Sequence, residues 1–478
     1  MSLGAKIIKN TGINLAGRVI STFLGVACVA LLTRYLGPEQ FGEYTTSTNF
    51  LQFFAIIADF GLTLTALTML GEAKPEEERK LLGNLTSLRI VTMVFFTIAP
   101  LLVLLFPYSD TIKQAVLVGA AAYAVLALNQ MLISVFQKHL AMHVVAIAEV
   151  LGRAMLLGAM VVAAELHLGV VAMVAAMLLA NVVQVGTMLL IGYRIAPLHF
   201  AYDRAVWREI VRRSWPLAAS SALNLIYLKG DILILSLFRP QAEVGFYGAA
   251  YKVLDVLTVL PFMFMGLVLP RLAAAWKEGD TEKFRGYFQQ SFEAIVILGL
   301  PFMVGGVILS TKLMVLIAGA EFVSGGNLLA ILLVALFCVF VSSFFGHTAI
   351  ALQAQRKTIW MYGLVAVLTF AGYFATIPLF GATAAAWFTV FSEALIAILL
   401  STAVRRAAGF LPTTHNLLKI FSSVAIMGSV VYVMRDLPVL VTISAGAAVY
   451  GAAIVSLGLV PKRLLKLGNE LDPGSSPG

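Results

Sequence analysis

Apolar stretches of membrane-spanning length recur along the whole chain between short polar breaks, and this pattern limits the fold more than any motif does. The stretches are 11–33, 41–70, 86–107, 113–136, 144–165, 168–193, 212–237, 242–272, 284–311, 324–350, 358–378, 380–404, 416–434 and 437–458. A helix crosses the roughly 30 Å hydrocarbon core of a bilayer with about 20 apolar residues. Inside that core every backbone N–H and C=O must be satisfied by the protein itself, so isolated spans of this length are helices. Fourteen of them predict an all-α polytopic membrane protein. Composition agrees: of 478 residues, 60% are hydrophobic and 12% charged, about half the charge of a soluble domain. A water-soluble enzyme is excluded.

The charges that remain are unevenly placed. Of 33 Lys and Arg, 24 fall on the side that receives the N-terminus and every second loop. Five fall on the other: Arg34, Lys113, Arg239, Lys312 and Arg435. Loops rich in Lys and Arg stay cytoplasmic, so both termini are expected inside and the number of spans is even. The net charge of +9 has the same origin and calls for no nucleic-acid partner. Lys6 and Lys9 precede a long apolar run without a small-residue cleavage site, which reads as a retained first span. Residues 203–214, DRAVWREIVRRS, suit either an interfacial helix or a basic loop. The tail from Asn469, ending DPGSSPG, has a disordered composition.

Chemistry-bearing motifs are sparse. Cys28 and Cys338 sit in apolar runs and form no disulfide framework. The six histidines show no metal-ligand spacing, and no GxxxxGK[ST] motif for ATP is present. No cofactor, metal or catalytic residue is predicted.

A faint repeat does appear. Shifted by 203 residues, Leu32, Gly42, Tyr44 and Leu51 fall on Leu235, Gly245, Tyr247 and Leu254, and FGEY (41–44) faces VGFY (244–247). The register lays spans one and two on spans seven and eight in the same orientation. Parallel repeats of this kind are a transporter architecture. They predict two six-helix bundles around a central cavity, residues 1–200 and 201–410, with two added helices at 411–460 and a cytoplasmic tail at 461–478.

The segment TRYLGPEQFGEY (33–44), between spans one and two, resembles the polysaccharide-transporter branch of the multidrug/oligosaccharidyl-lipid/polysaccharide exporter superfamily, the Wzx-type O-antigen flippases. GRV (17–19) is similar to the arginine-bearing first span of lipid II flippases. The resemblance implies translocation of a polyprenyl-pyrophosphate-linked oligosaccharide from the inner to the outer leaflet of a bacterial plasma membrane by alternating access. It implies a monomer that works in membrane lipid with polysaccharide polymerase and chain-length machinery as further partners. The alternatives are a cation-coupled multidrug exporter and a membrane-embedded polymerase or glycosyltransferase. Against the last, no outer loop exceeds about 13 residues or carries paired carboxylates.

Charges inside spans cost at least about 2.5–3.5 kcal/mol each on insertion scales, so each needs a reason. The bases are Arg18, Arg153, Lys229 and Lys252. Arg18 has no acid at helical spacing, and its guanidinium fork matches phosphate oxygens; either it contacts a pyrophosphate or it pairs with an acid on another span. Lys252, Lys229 and Arg153 are the other candidate substrate contacts. Glu149 is spaced to pair with Arg153, and Asp255 with Lys252. Asp59 and Glu393 lack a base at helical spacing. With Asp255 they are the candidates for proton or sodium coupling, the other reading being neutral acids bonded to a neighbouring helix. Pro216, Pro261, Pro270 and Pro301 mark points of bending or static kinks.

Overall fold

The computed structural model describes residues 3–193 and 199–459. These residues fold into thirteen α-helices: α1 (Leu3–Asp59), α2 (Leu62–Glu72), α3 (Pro75–Ile98), α4 (Asp110–Lys138), α5 (Met142–Glu165), α6 (Val170–Gly192), α7 (Arg204–Phe238), α8 (Gln241–Lys277), α9 (Thr281–Ala318), α10 (Gly325–Ala351), α11 (Gln355–Ala408), α12 (Leu417–Val433) and α13 (Val439–Ser456). Two 3-10 segments, Ala99–Leu105 and Ala320–Phe322, complete the order, and no strand occurs among the described residues. Ten helices are long and apolar enough to cross a membrane. The protein is an all-α polytopic membrane protein.

Two helices are double. α1 reverses at Gly37 (φ 65°) beside Pro38, and α11 reverses at Gly381 (φ 61°). Both angles lie in the left-handed region open to glycine. α2 continues the second half of α1 after a break at Phe60 (φ 49°) and Gly61 (φ 69°). Counted this way, the described residues supply fourteen helical segments. Span 41–70, expected to be unbroken, is thus interrupted at Asp59–Gly61.

Residues 204–214 are neither a separate surface helix nor a loop. They are the first turns of α7, started by Asp203, whose Oδ1 accepts from Ala205 N (2.9 Å) and Val206 N (3.3 Å). A carboxylate at the N-cap satisfies donors that the helix leaves open, so helix begins there instead of at the apolar boundary. Pro261, Pro270 and Pro301 lie within continuous helices. The side chain of Pro216 and the tail after Leu459 lie outside the described residues.

The chain forms two compact units. One holds residues up to Gly248 with Ile317–Phe322 and Tyr373–Ala382; the other holds the remainder. The first unit has an apolar core on each side of its helices. One gathers Leu62, Leu82, Leu85, Leu132, Val135 and Phe136. The other gathers Phe50, Leu51, Phe96, Tyr108, Ile112 and Tyr123. In the second unit α9 packs on α12 and α13 through Val296, Leu300, Ile420, Val424 and Ile454.

Within the first unit the repeat becomes a contact. A Cβ on Gly42 would strike the carbonyl oxygen of Gln241, and a Cβ on Gly245 would strike that of Pro38. Gly42 is shifted onto Gly245 by 203 residues, and Pro38 onto Gln241. The two backbones therefore meet reciprocally, as the two sides of a two-fold contact do. The amide nitrogens of Gly245 and Gly42 each lie 3.1 Å from the Cβ position of the other. Gly248 meets Thr45, again its own partner in the shift. Buried Tyr44 and Tyr247 flank the crossing. No side chain larger than hydrogen fits at either glycine. Gly42→Val and Gly245→Val are each expected to destabilise by about 1–3 kcal/mol or more, read as a lowered midpoint of thermal unfolding in detergent. Gly158→Val, where no atom lies within 4 Å, is the control expected to leave it unchanged.

Candidate functional site

The seam between the first half of α1 and α5 is built from small residues. A Cβ on Gly17 would come within 2.8 Å of Ala146 Cβ, so the helices approach closely there. Two turns on, Arg153 of α5 lays Nη1 over Gly25, 3.9 Å from the place a Cβ would occupy. Arg18 stands seven residues before Gly25, which on a helix is the same line and about 10 Å along the axis. Arg18 and Arg153 are both exposed along this seam. Among the described residues neither makes an ion pair.

The expected pair between Glu149 and Arg153 therefore does not form. The Arg153 side chain crosses to α1 instead, where Cys28 and Tyr44 lie within its electrostatic reach. The α1–α5 pair thus carries two exposed guanidinium groups that make no ion pair among the described residues. Guanidinium presents a planar fork of donors suited to phosphate oxygens.

Lys229 lies in the same unit, half-buried on α7. Two residues on, buried Asp231 accepts from Tyr247 Oη at 2.6 Å. Lys252 and Asp255 are half-buried on α8 in the second unit, and both are engaged in interactions there. Glu393, also in the second unit, is buried at 6% exposure and accepts from Ser342 Oγ at 3.2 Å.

Asp59 is paired. Its Oδ1 lies 2.8 Å from Arg89 Nη1 and accepts from Thr63 Oγ1 at 2.5 Å, while its Oδ2 takes the Thr63 N–H at 3.4 Å. Arg89 Nη2 donates to Thr63 Oγ1 at 2.8 Å. Arg89 is 1% exposed, the largest fully buried side chain described. Arg89 is one of the 24 bases that the charge count places on the inner side, although it is the fourth residue of the apolar stretch 86–107. That position, and an acid without a helical partner in the preceding span, were the available signals.

At the helix ends that the charge count assigns to the cytoplasm, several bases of the first unit pair with acids. Lys80 pairs with Asp203 (2.5 Å), Lys138 and His139 with Glu78 (2.7 and 2.6 Å), and Arg213 with Glu72 and Glu209 (2.8 and 2.7 Å). Hydrogen bonds from Arg212 and Arg213 hold the Glu209 carboxyl down at about 2. The hydrogen bond from Lys80, helped by those of Val206 and Ala205, lowers Asp203.

A family model described as polysaccharide biosynthesis protein matches residues 7–276. The chain belongs to the polysaccharide biosynthesis protein family. A Shigella flexneri protein named as a candidate O-antigen transporter is 24% identical over 354 residues, covering 69% of this chain and 81% of its own. Two solved structures share the fold. The lipid II flippase MurJ in an inward closed conformation superposes with a TM-score of 0.78 at 15% identity, over 94% of this chain and 99% of its own. A multidrug-resistance MATE transporter of the MOP superfamily, inward-facing, gives 0.69 at 15% identity, over 83% and 98%. The polysaccharide biosynthesis family match includes Arg18, Asp59, Arg89, Arg153, Lys229, Lys252 and Asp255 and leaves Glu393 outside.

Removing Asp59 from its pair strands a buried guanidinium. Asp59→Asn is expected to cost about 3 kcal/mol. Asp59→Asn with Arg89→Met is expected to be less harmful than the sum of the two, by thermal unfolding in a double-mutant cycle. Additive losses would show that the pair contributes nothing.

Proposed function

We propose that the protein is a flippase that carries polyprenyl-pyrophosphate-linked oligosaccharide from the cytoplasmic to the outer leaflet of a bacterial inner membrane by alternating access. The observation that supports this reading is the Arg18–Arg153 seam. Two guanidinium groups without counter-ions cost several kcal/mol in a membrane span unless something anionic visits them. A pyrophosphate brings two linked anionic groups, and guanidinium forks on α1 and α5 can each take one of them. An exporter of amphipathic cations would meet repulsion at the same place. Membership of the polysaccharide biosynthesis family points the same way, as does the Shigella flexneri relative by its name.

Transport in this reading is movement and not bond making. The protein binds the head group, changes conformation and releases it, and the lipid tail stays in the bilayer. Lys229 and Lys252 are secondary head-group contacts. Glu393, buried beside Ser342, is the coupling acid, since Asp59 is committed to Arg89. A proton taken by Glu393 in one conformation and released in the other would link flipping to the membrane gradient. Both termini are cytoplasmic, and the chain acts as a monomer.

The test is reconstitution of the purified protein in liposomes with a fluorescent polyprenyl-pyrophosphate oligosaccharide. Protein-dependent movement between leaflets is expected, together with at least a ten-fold lower rate for Arg18→Ala and Arg153→Ala at unchanged thermal stability, roughly the loss of one charge-assisted contact. Wild-type rates in both variants would remove the seam from the mechanism. No movement of any glycan, with uptake of a cationic dye, would establish the drug-exporter reading that the MATE-like fold also accommodates. A second measurement follows from the buried acid: Glu393→Gln is expected to flip substrate at a rate that no longer responds to a pH gradient. A retained response would assign coupling elsewhere.

A further inference from the structure

One long stretch of the second unit is short of acids. From residue 323 to residue 435 the sequence contains one acid, Glu393. Arg405 and Arg406, in the last turn of α11, are exposed and make no ion pair among the described residues. Arg406, but not Arg405, lines a cavity of about 450 Å³. Its other walls are Ala354, Trp360, Met361, Ala403 and Ala407.

The position of the cavity follows from the chain path. Trp360 begins the first half of α11 and Arg406 ends the second, each more than twenty residues from the reversal at Gly381. At 1.5 Å per residue, both ends stand about one hydrocarbon thickness from that reversal. The charge count assigns them to the cytoplasmic membrane surface. Indole and guanidinium groups are the side chains that settle at this depth.

The lining is two-sided. Met361 and the three alanines give a small-residue apolar wall, with Ala354, Met361 and Ala403 buried. Trp360, 54% exposed, presents a ring that is apolar in body and a donor at its tip. Among the described lining residues Arg406 is the charged one. The volume falls within the roughly 300–1,000 Å³ of small-molecule sites. The shape of demand is an amphiphile with one anionic head, and basic pockets between helices on the cytoplasmic side bind such lipids.

Attraction of Arg406 to the helix C-terminal carbonyls is the simpler explanation for a basic last turn. It applies equally to Arg405, which does not line this cavity. Only Arg406 joins that charge to an indole and an enclosed apolar wall, and no acid occupies the place.

We propose that this cavity binds the phosphate-bearing head group of an inner-leaflet phospholipid, with Arg406 as counter-charge and Trp360 as the wall against the glycerol region. The proposal rests on the charge-derived topology and not on what the protein transports, so it survives or fails apart from the flippase reading.

The experiment titrates the delipidated full-length protein in neutral detergent with phosphatidylglycerol or phosphatidylcholine and reads bound lipid by native mass spectrometry. Wild type is expected to retain phosphatidylglycerol about five-fold better than phosphatidylcholine. Arg406→Gln is expected to abolish that preference, Arg406→Lys to keep most of it, and Arg405→Gln to leave it intact. Trp360→Ala is expected to weaken both lipids. Unchanged preference in Arg406→Gln would overturn the proposal, as would an equal loss in Arg405→Gln, the mark of a diffuse basic surface. Displacement of phosphatidylglycerol by excess inorganic phosphate would also overturn it, because the site would then belong to a soluble anion. Arg406 is exposed, so its variants are expected to keep the wild-type unfolding midpoint, and that midpoint is measured alongside.

Discussion

A bilayer offers no water to a backbone N–H or C=O, and each unsatisfied group there costs several kcal/mol. Continuous helix is the general answer, and the points where this chain departs from it show what the departure requires. After the break at Phe60–Gly61, α2 restarts with Asp59 taking the Thr63 N–H and its hydroxyl. After the reversal at Gly381, the second half of α11 restarts with Glu243 Oε1 accepting from Ala382 N at 2.7 Å. A carboxylate suits both places, because the first amides of a helix are open donors at its positive end. Each carboxylate is in turn held by an arginine: Asp59 by Arg89 at 2.8 Å and Glu243 by Arg239 at 2.7 Å. Helix break, acid and arginine thus form one unit of construction, used twice in different parts of the chain.

The same accounting explains what could be read from the sequence. Spans depend on length and hydropathy, which are local, so fourteen stretches became fourteen helical segments. The 203-residue shift was legible from four identities because one of them, Gly42 with Gly245, is where two backbones touch and allow no replacement. The rest depended on distance. Arg89 and Asp59 are thirty residues apart, and no helical spacing links them. Glu149 and Arg153 satisfy the spacing rule, yet the guanidinium reaches across to Gly25, where a missing side chain leaves room. The start of α7 was obscured because its first turns are polar; the capping carboxylate of Asp203, not hydropathy, sets it. Spacing along one helix proposes partners, and packing between helices chooses among them.

Charge is economised differently in the two units. The first unit closes several bases on acids at one set of helix ends, through Asp203, Glu78, Glu72 and Glu209. These are short, mostly exposed pairs that contribute little to stability one by one. Their effect is subtractive: they remove from circulation the cations that would otherwise compete for a passing anion. What they leave uncompensated is informative. Besides Lys74, Arg79, Arg204 and Arg208 at those ends, Arg18 and Arg153 on the α1–α5 seam and Arg406 over its cavity make no ion pair among the described residues.

The small residues of that seam then acquire a second meaning. Gly17 against Ala146 brings α1 and α5 together by van der Waals contact, the force that membrane helices use in place of hydrophobic association. Close contact alone would be served by burying the seam entirely. Instead, Gly25 clears the space that Arg153 crosses, and Arg18 stays exposed on the same line. An arginine there gains nothing from packing and costs insertion energy. Under the proposed function the counter-charge of Arg18 and Arg153 is the cargo, present for part of the cycle and absent for the rest. A permanent acid would stabilise the resting protein and, by the same amount, weaken its hold on anything it has to carry.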